Sequence, residues 1–419
     1  MNEACLLHGV TGPTGSALAD ELRRSSHLHE THRPLIAPFS RIVARLSGPP
    51  ALLDAAAAGL PEGAARAEAV AVRLRRAGVP LAWGDPEPLD DMAALRELCR
   101  ARGSSAVYVI RADPSLLAEL QIGSWFQASW RERVARRVAL RGMARPGPFR
   151  VVIDAAFWAG VRKAATAAEW RRLSRESYVA LVYHRLAGEG KPGRERVDTS
   201  PRTFRAHLAL LRLLGFRAVA PEEMLAFHRN GGSLPRRAFV VTVDDGFVDC
   251  LQPVLEHAVV RPQLFVPTAA LGRRARWLDG EAVMEWEDVE RLARAGVAVG
   301  SHTRTHPRLP ELGREELAEE VAQSLRELRA RLPDALPVLA YPNGAHDTAV
   351  RRATIDAGYE AAHTTEKGRN GAGTDPFCLR RISVHASDGP LAVLWKVLTG
   401  APPPTLTVAR RSSETTSEA

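Results

Sequence analysis

Two adjacent aspartates, Asp244 and Asp245, end the apolar run "AFVVTV" and are followed at once by Gly246. Side by side, each carboxylate raises the cost of ionising the other. Further along, "SHTRTH" places His302 and His306 four residues apart. Two imidazoles and one carboxylate are a common donor set for a divalent metal of the zinc or iron type. A dication would offset the repulsion between the aspartates. One aspartate can then bind the ion while the other accepts a proton from water. Pro307, directly after His306, argues that the histidines reach the ion from a tight turn rather than a helix. Two further polar groups complete the set: the turn Tyr341–Pro342–Asn343–Gly344, and His385 in "RRISVHASD".

The elements around these residues have a steady rhythm. From Ser177 onward, apolar strands such as "SYVALVY", "AFVVTV" and "PQLFVPT" alternate with helical patterns such as "SPRTFRAHLALLRLLGF" and "REELAEEVAQSLRELRARL". That alternation predicts a parallel β/α architecture, and the polar clusters follow strand C-terminal ends, where barrel enzymes build their sites. Neighbours on an extended strand point opposite ways, but the Gly246 turn can bring both carboxylates to one rim. Taken singly, His184, His257 and His363 read as structural or exposed.

Residues 1–150 read as a mixed α/β region of unknown function. "PEGAARAEAVAVRLRRAG" is a helix with a glycine stop, "VPLAW" a strand, "LDDMAALRELCRARG" a second helix ending in glycine, and "AVYVI" a second strand. "GVTGPTGSALADEL" has three glycines before a helical run but also Pro13, and reads as a plain turn before a helix. Residues 151–176 form an amphipathic connecting helix. Its stripe of Trp158, Val161, Ala165 and Ala168, flanked by basic residues, could make weak contact with an anionic membrane, though packing between domains is the expectation. Residues 177–400 hold the barrel, and 401–419 read as a disordered tail.

The net charge is +9, with a sequence pI near 9.9. An anionic partner is one reading of that charge. The only lysines, however, are Lys163, Lys191, Lys367 and Lys396, and the arginines are scattered without a dense run. Arginine in excess alongside Ala, Gly and Pro is what a GC-rich genome encodes, so no nucleic-acid partner is expected. The four cysteines form no CxxC and read as reduced thiols. Neither an apolar run long enough to span a bilayer nor a signal peptide is visible, which predicts a cytoplasmic chain.

"TVDDG", "SHTRTH" and "YPNG", in this order, resemble the motifs of the NodB-type polysaccharide deacetylases, a carbohydrate esterase family of distorted β/α barrels. "YVALVYHRLAG" followed by "VDTSPRTFRAHLALLRLLGF" resembles the opening segment of many such domains. The likeness covers about residues 177–400. It implies a distorted parallel (β/α) barrel that hydrolyses the N-acetyl group of an amino sugar, polymeric or carrier-linked, with a divalent metal expected to be Zn2+. By position, it implies Asp244 as general base, with Asp245, His302 and His306 as metal ligands. The Asn343 backbone N–H would face the oxyanion, and His385 would be the general acid. The family often carries an arginine in its third motif to hold the catalytic aspartate. Here Ala340 occupies that position. The charge tuning Asp244 must therefore come from elsewhere, and the metal alone could supply it. The alternative is a catalytically weak module that binds a glycan or lipid-linked sugar, with Ala340 marking decay.

Overall fold

The computed structural model describes residues 46–47, 55–77, 82–83, 92–141, 149–188 and 198–404. Among the described residues of the N-terminal half the sheet is minimal. β1 (Leu46–Ser47) and β2 (Ala82–Trp83) pair antiparallel, and the helices Arg66–Arg76, Met92–Ala112, Trp130–Ala139, Phe149–Ala164 and Ala167–Ser174 supply the rest. "AVYVI", expected as a strand, is instead the last third of the helix Met92–Ala112. Gly103 does not stop that helix. A Cβ there would strike the Phe157 carbonyl, and one at Gly160 would strike the Arg100 carbonyl. The two glycines let the helices Met92–Ala112 and Phe149–Ala164 cross backbone to backbone, and Ser104 Oγ donates to the Gly160 carbonyl at 3.1 Å. The β-branched run is held helical by this tertiary contact, which outweighs its local preference.

The connecting helix is two helices. Thr166 interrupts it with a reciprocal cap: its hydroxyl accepts the Glu169 N–H, and Glu169 accepts the Thr166 N–H. Trp158 and Val161 are buried among Trp125, Trp170 and Phe157 and Ala165 packs against the same core, while Ala168 is exposed, so three of the four stripe residues face this core. The glycine-rich "GVTGPTGSALADEL" and residues 405–419 lie outside the described residues.

The second half contains β3 (Ser177–Tyr183), β4 (Arg217–Ala218), β5 (Ala238–Val243), β6 (Gln263–Val266), β7 (Ala298–Ser301), β8 (Val338–Ala340), β9 (Ala361–His363), β10 (Asn370–Gly371) and β11 (Arg381–Ser383). β3, β5, β6, β7, β8 and β9 run parallel in that spatial order. β11 lies parallel on the other side of β3, while an isolated parallel bridge joins His363 to Leu379. The segment Leu379–Ser383 therefore reaches from β9 back to β3 and closes the sheet on itself. The expected distorted parallel β/α barrel is what the chain forms.

The strands read as continuous apolar runs because both faces are covered. Outward side chains such as Val179, Leu181, Val241 and Val243 pack under helices. Inward ones such as Tyr178, Ala180, Val240 and Phe265 fill the lumen. The helical half seats against the barrel through contacts that include Gln127 Nε2 donating to the Gly373 carbonyl at 3.3 Å and Arg133 donating to the Thr399 carbonyl at 2.7 Å. No helix among the described residues is long and apolar enough to cross a membrane.

Candidate active site

The strand ends at the rim opposite the helical half converge on a pocket of about 150 Å3, lined by Asp244, Asp245, His302, His306 and Asn343, among others. Asp244 continues β5, its N–H bonded to the Tyr183 carbonyl at 2.9 Å. The next residue breaks the strand: Asp245 has φ 70° and Gly246 φ 65°. This turn sets both carboxylates on one rim, as the sequence suggested. Six non-glycine residues have positive φ among the described residues, and four of them, Asp245, Thr303, His306 and Asn343, lie in the turns that build this pocket. Such backbone, costly for a β-branched threonine, is held in place by the surrounding structure and gathers at working sites.

Asp245, His302 and His306 offer ligand atoms that all lie within 4.8 Å of one another. Asp245 Oδ1 is 3.5 Å from His302 Nε2 and 3.2 Å from His306 Nε2. His302 Nδ1 lies 2.7 Å from the Ala340 carbonyl, so Nδ1 carries the proton and the Nε2 lone pair faces the pocket. Trp277 stacks on His306, with ring centroids 4.4 Å apart, and its indole N–H donates to Asp245 Oδ1 at 3.1 Å. This mixed nitrogen and oxygen donor set, converging from two strand ends, fits a divalent cation. The electrostatics agree. Burial alone would push the Asp245 carboxyl up, yet hydrogen bonds from His302 and His306 hold it well below the carboxylate range. Burial pushes His302 down, but the fields of Asp244 and Asp245 raise it above its ordinary value. The same negative field would hold a cation. At His306 burial prevails and its pKa falls.

The "SHTRTH" turn is braced from behind. Ser301 Oγ accepts the Thr303 N–H, and Thr303 Oγ1 accepts the His306 N–H. Glu320, on the helix Arg314–Arg331, accepts both the Arg304 and Thr305 N–H groups at 2.9 Å. Side chains that satisfy this many loop amides fix the loop, and through it the His306 ring.

The charge on Asp244 is set by a residue the sequence reading passed over. Arg381, on β11, donates to Asp244 through both terminal nitrogens, at 2.7 and 2.8 Å, in a fully buried pair. It also donates to the Thr242 hydroxyl and the Thr364 carbonyl. Burial raises the Asp244 pKa, and Arg381 leads the opposing effects that bring it below the ordinary value. Ala340 is buried and contributes only its carbonyl, to His302. An arginine from the closing strand thus tunes Asp244 in place of one at position 340, so that charge does not depend on a metal alone. The available signal was "RRIS" opening a short strand just before His385.

Asn343 lies in the turn Pro342–Gly344 with φ 56°, and its carbonyl accepts from Thr365 Oγ1 at 3.3 Å. A Cβ on Gly344 would collide with Thr365, so only glycine fits beside Asn343. His385 stands just beyond β11, its N–H bonded to Asp388 Oδ2 at 2.6 Å, and it is not among the residues lining the pocket. His184, just beyond β3 and discounted in the sequence as an isolated histidine, does line it, and its Nδ1 is buried without a hydrogen-bond partner.

Residues 231–362, which include the paired aspartates, His302, His306 and Asn343, match the polysaccharide deacetylase family model. The match falls on the segment whose motifs carry the resemblance, and the N-terminal region is unmatched. The chain is 22% identical over 207 residues to YxkH of Bacillus subtilis (strain 168), whose name places it among polysaccharide deacetylases. The alignment covers 49% of this chain and 70% of YxkH. Among solved structures, the chain is similar to the deacetylase PplD of Streptococcus pyogenes in complex with acetate, at 18% identity and a TM-score of 0.47, covering 53% of this chain and 98% of that one. It is also similar to IcaB from Ammonifex degensii, at 25% identity and a TM-score of 0.47, covering 52% of this chain and 97% of that one.

Proposed function

We propose that the barrel is a metal-dependent hydrolase that removes N-acetyl groups from an amino-sugar substrate. The observation that carries this reading is the convergence of Asp245, His302 and His306 beside an Asp244 carboxylate clamped by Arg381. A divalent cation held by Asp245 Oδ1, His302 Nε2 and His306 Nε2, zinc by preference, would supply a Lewis acid for the amide carbonyl and make water more acidic.

The chain's own groups do the rest. Arg381 keeps Asp244 anionic, so its carboxylate can take the proton of the attacking water. The water oxygen bonds to the acetyl carbon, and the Asn343 N–H donates to the developing oxyanion. The C–N bond then breaks, the amine leaves with a proton, and acetate is the other product. Two histidines at neighbouring strand ends can give that proton. The motif order favours His385, while the pocket lining favours His184, and we assign the role to His184 on that ground. The case for an inactive sugar-binding module rested on Ala340, and the Arg381 pair removes its premise.

The test is zinc content and acetate release from acetylated amino sugars, free, polymeric and carrier-linked, with wild-type, Asp244→Asn and His302→Ala proteins. Full acetate release by both variants would reject the reading.

A further inference from the structure

Arg137, Arg141, Arg162, Arg175 and Arg236 line a single cleft of about 480 Å3 between the helical half and the barrel. Arg175 lies just before β3 and Arg236 just before β5, so the cleft opens at the N-terminal ends of the strands. The catalytic rim is at the other end, and the seven residues of β3 put about 23 Å between them.

Acidic residues close by in the chain are committed elsewhere: Glu169 to Arg111, Glu176 to Arg171 and Asp154 to Arg136. Among the described residues, no carboxylate forms an ion pair with any of the five. Among the described residues, then, no ion pair offsets the repulsion between these guanidinium groups. Burial, then the charges of Arg175 and Arg141, hold the Arg137 pKa below its ordinary value. Trp125, in the cleft wall, has a buried indole N–H without a partner. A concave surface lined by one sign of charge concentrates the opposite ion. A guanidinium presents two parallel N–H groups that match the oxygens of a phosphate. Five of them exceed what a single carboxylate could balance, and a cleft suits a compact group.

We propose that this cleft binds a multiply charged phosphate of the diphosphate class, carried by a soluble ester or by a lipid headgroup. The site is independent of the hydrolytic one and does not rest on the proposed reaction.

The experiment titrates the full-length protein with inorganic pyrophosphate by calorimetry, comparing wild type, Arg162→Gln/Arg175→Gln, and an equal-charge control, Arg202→Gln/Arg329→Gln. Saturable one-to-one binding is expected in wild type and control, weakened about tenfold or more in the cleft variant. Thermal melting confirms that the variants are folded, and Arg236→Gln replaces the double variant if it melts early. Sedimentation with phosphatidylcholine vesicles that carry a polyprenyl diphosphate separates the sources. Pelleting reversed by pyrophosphate assigns the headgroup, and pyrophosphate binding without pelleting assigns the soluble ester. Absence of saturable pyrophosphate binding, or equal affinity in cleft and control variants, overturns the proposal.

Discussion

Arg381 grips Asp244 with two hydrogen bonds across 137 residues of chain, and neither side chain reaches solvent. A charge pair this deeply buried is costly to break from one side, on the order of 3–5 kcal/mol, because the survivor stays buried and unpaired. Arg381→Met should therefore lower stability by that order in chemical denaturation. Asp244→Asn/Arg381→Met should lose less than the two single changes added together.

The same pair governs pH dependence. Arg381 leads the effects that lower the Asp244 pKa, so the carboxylate form persists to lower pH than an ordinary aspartate would allow. Under the proposed reaction, activity falls only as pH drops through that lowered value. In Arg381→Met burial acts unopposed by the guanidinium, the pKa rises, and the acid limb of the pH–rate profile moves to higher pH. An unmoved limb would separate Asp244 from the proton transfer.

Zinc uptake should depend on each of the three donors. His302→Ala, His306→Ala and Asp245→Asn are each expected to weaken zinc binding by at least about tenfold, read by calorimetry on demetallated protein. Trp277→Phe keeps the ring stacked on His306 but loses the N–H to Asp245, so a smaller loss is expected, with a change in the zinc-dependent tryptophan fluorescence.

The assignment of the proton donor separates two histidines. His184→Ala should cost about 100-fold or more in turnover and abolish the basic limb of the pH–rate profile, with zinc uptake intact. His385→Ala should cost less. The reverse order would return the role to His385.

Gly103→Ala places a methyl group against the Phe157 carbonyl, where neither helix backbone can yield cheaply. The expected loss is about 1–3 kcal/mol in chemical denaturation. Zinc affinity should be unchanged, because the crossing lies in the helical half, away from the pocket.

These residues also show which features the sequence exposed. Asp244 with Asp245, and His302 with His306, are legible because each pair sits within one turn, where spacing alone constrains geometry. The barrel was legible for a related reason: strands covered on both faces are apolar throughout, and their rhythm survives in one dimension. Arg381 was not legible as the partner of Asp244, because only closure of the sheet brings β11 beside β3. His184 was discounted because a single histidine after a strand carries no spacing signal. "AVYVI" misled because its β-branched residues favour a strand, and the opposing contact, Gly103 on Gly160, is invisible until the helices cross.

The seam at Leu379–Ser383 has a consequence beyond topology. The strand that zips the cylinder shut also delivers the counter-charge to Asp244, the proposed proton acceptor, so mechanical integrity and chemical readiness share a single latch. Until residue 381 has been made, the acidic pair and both imidazoles already exist, but Asp244 lacks its guanidinium. Fraying of that latch would leave the buried carboxylate without its guanidinium, and its pKa would rise.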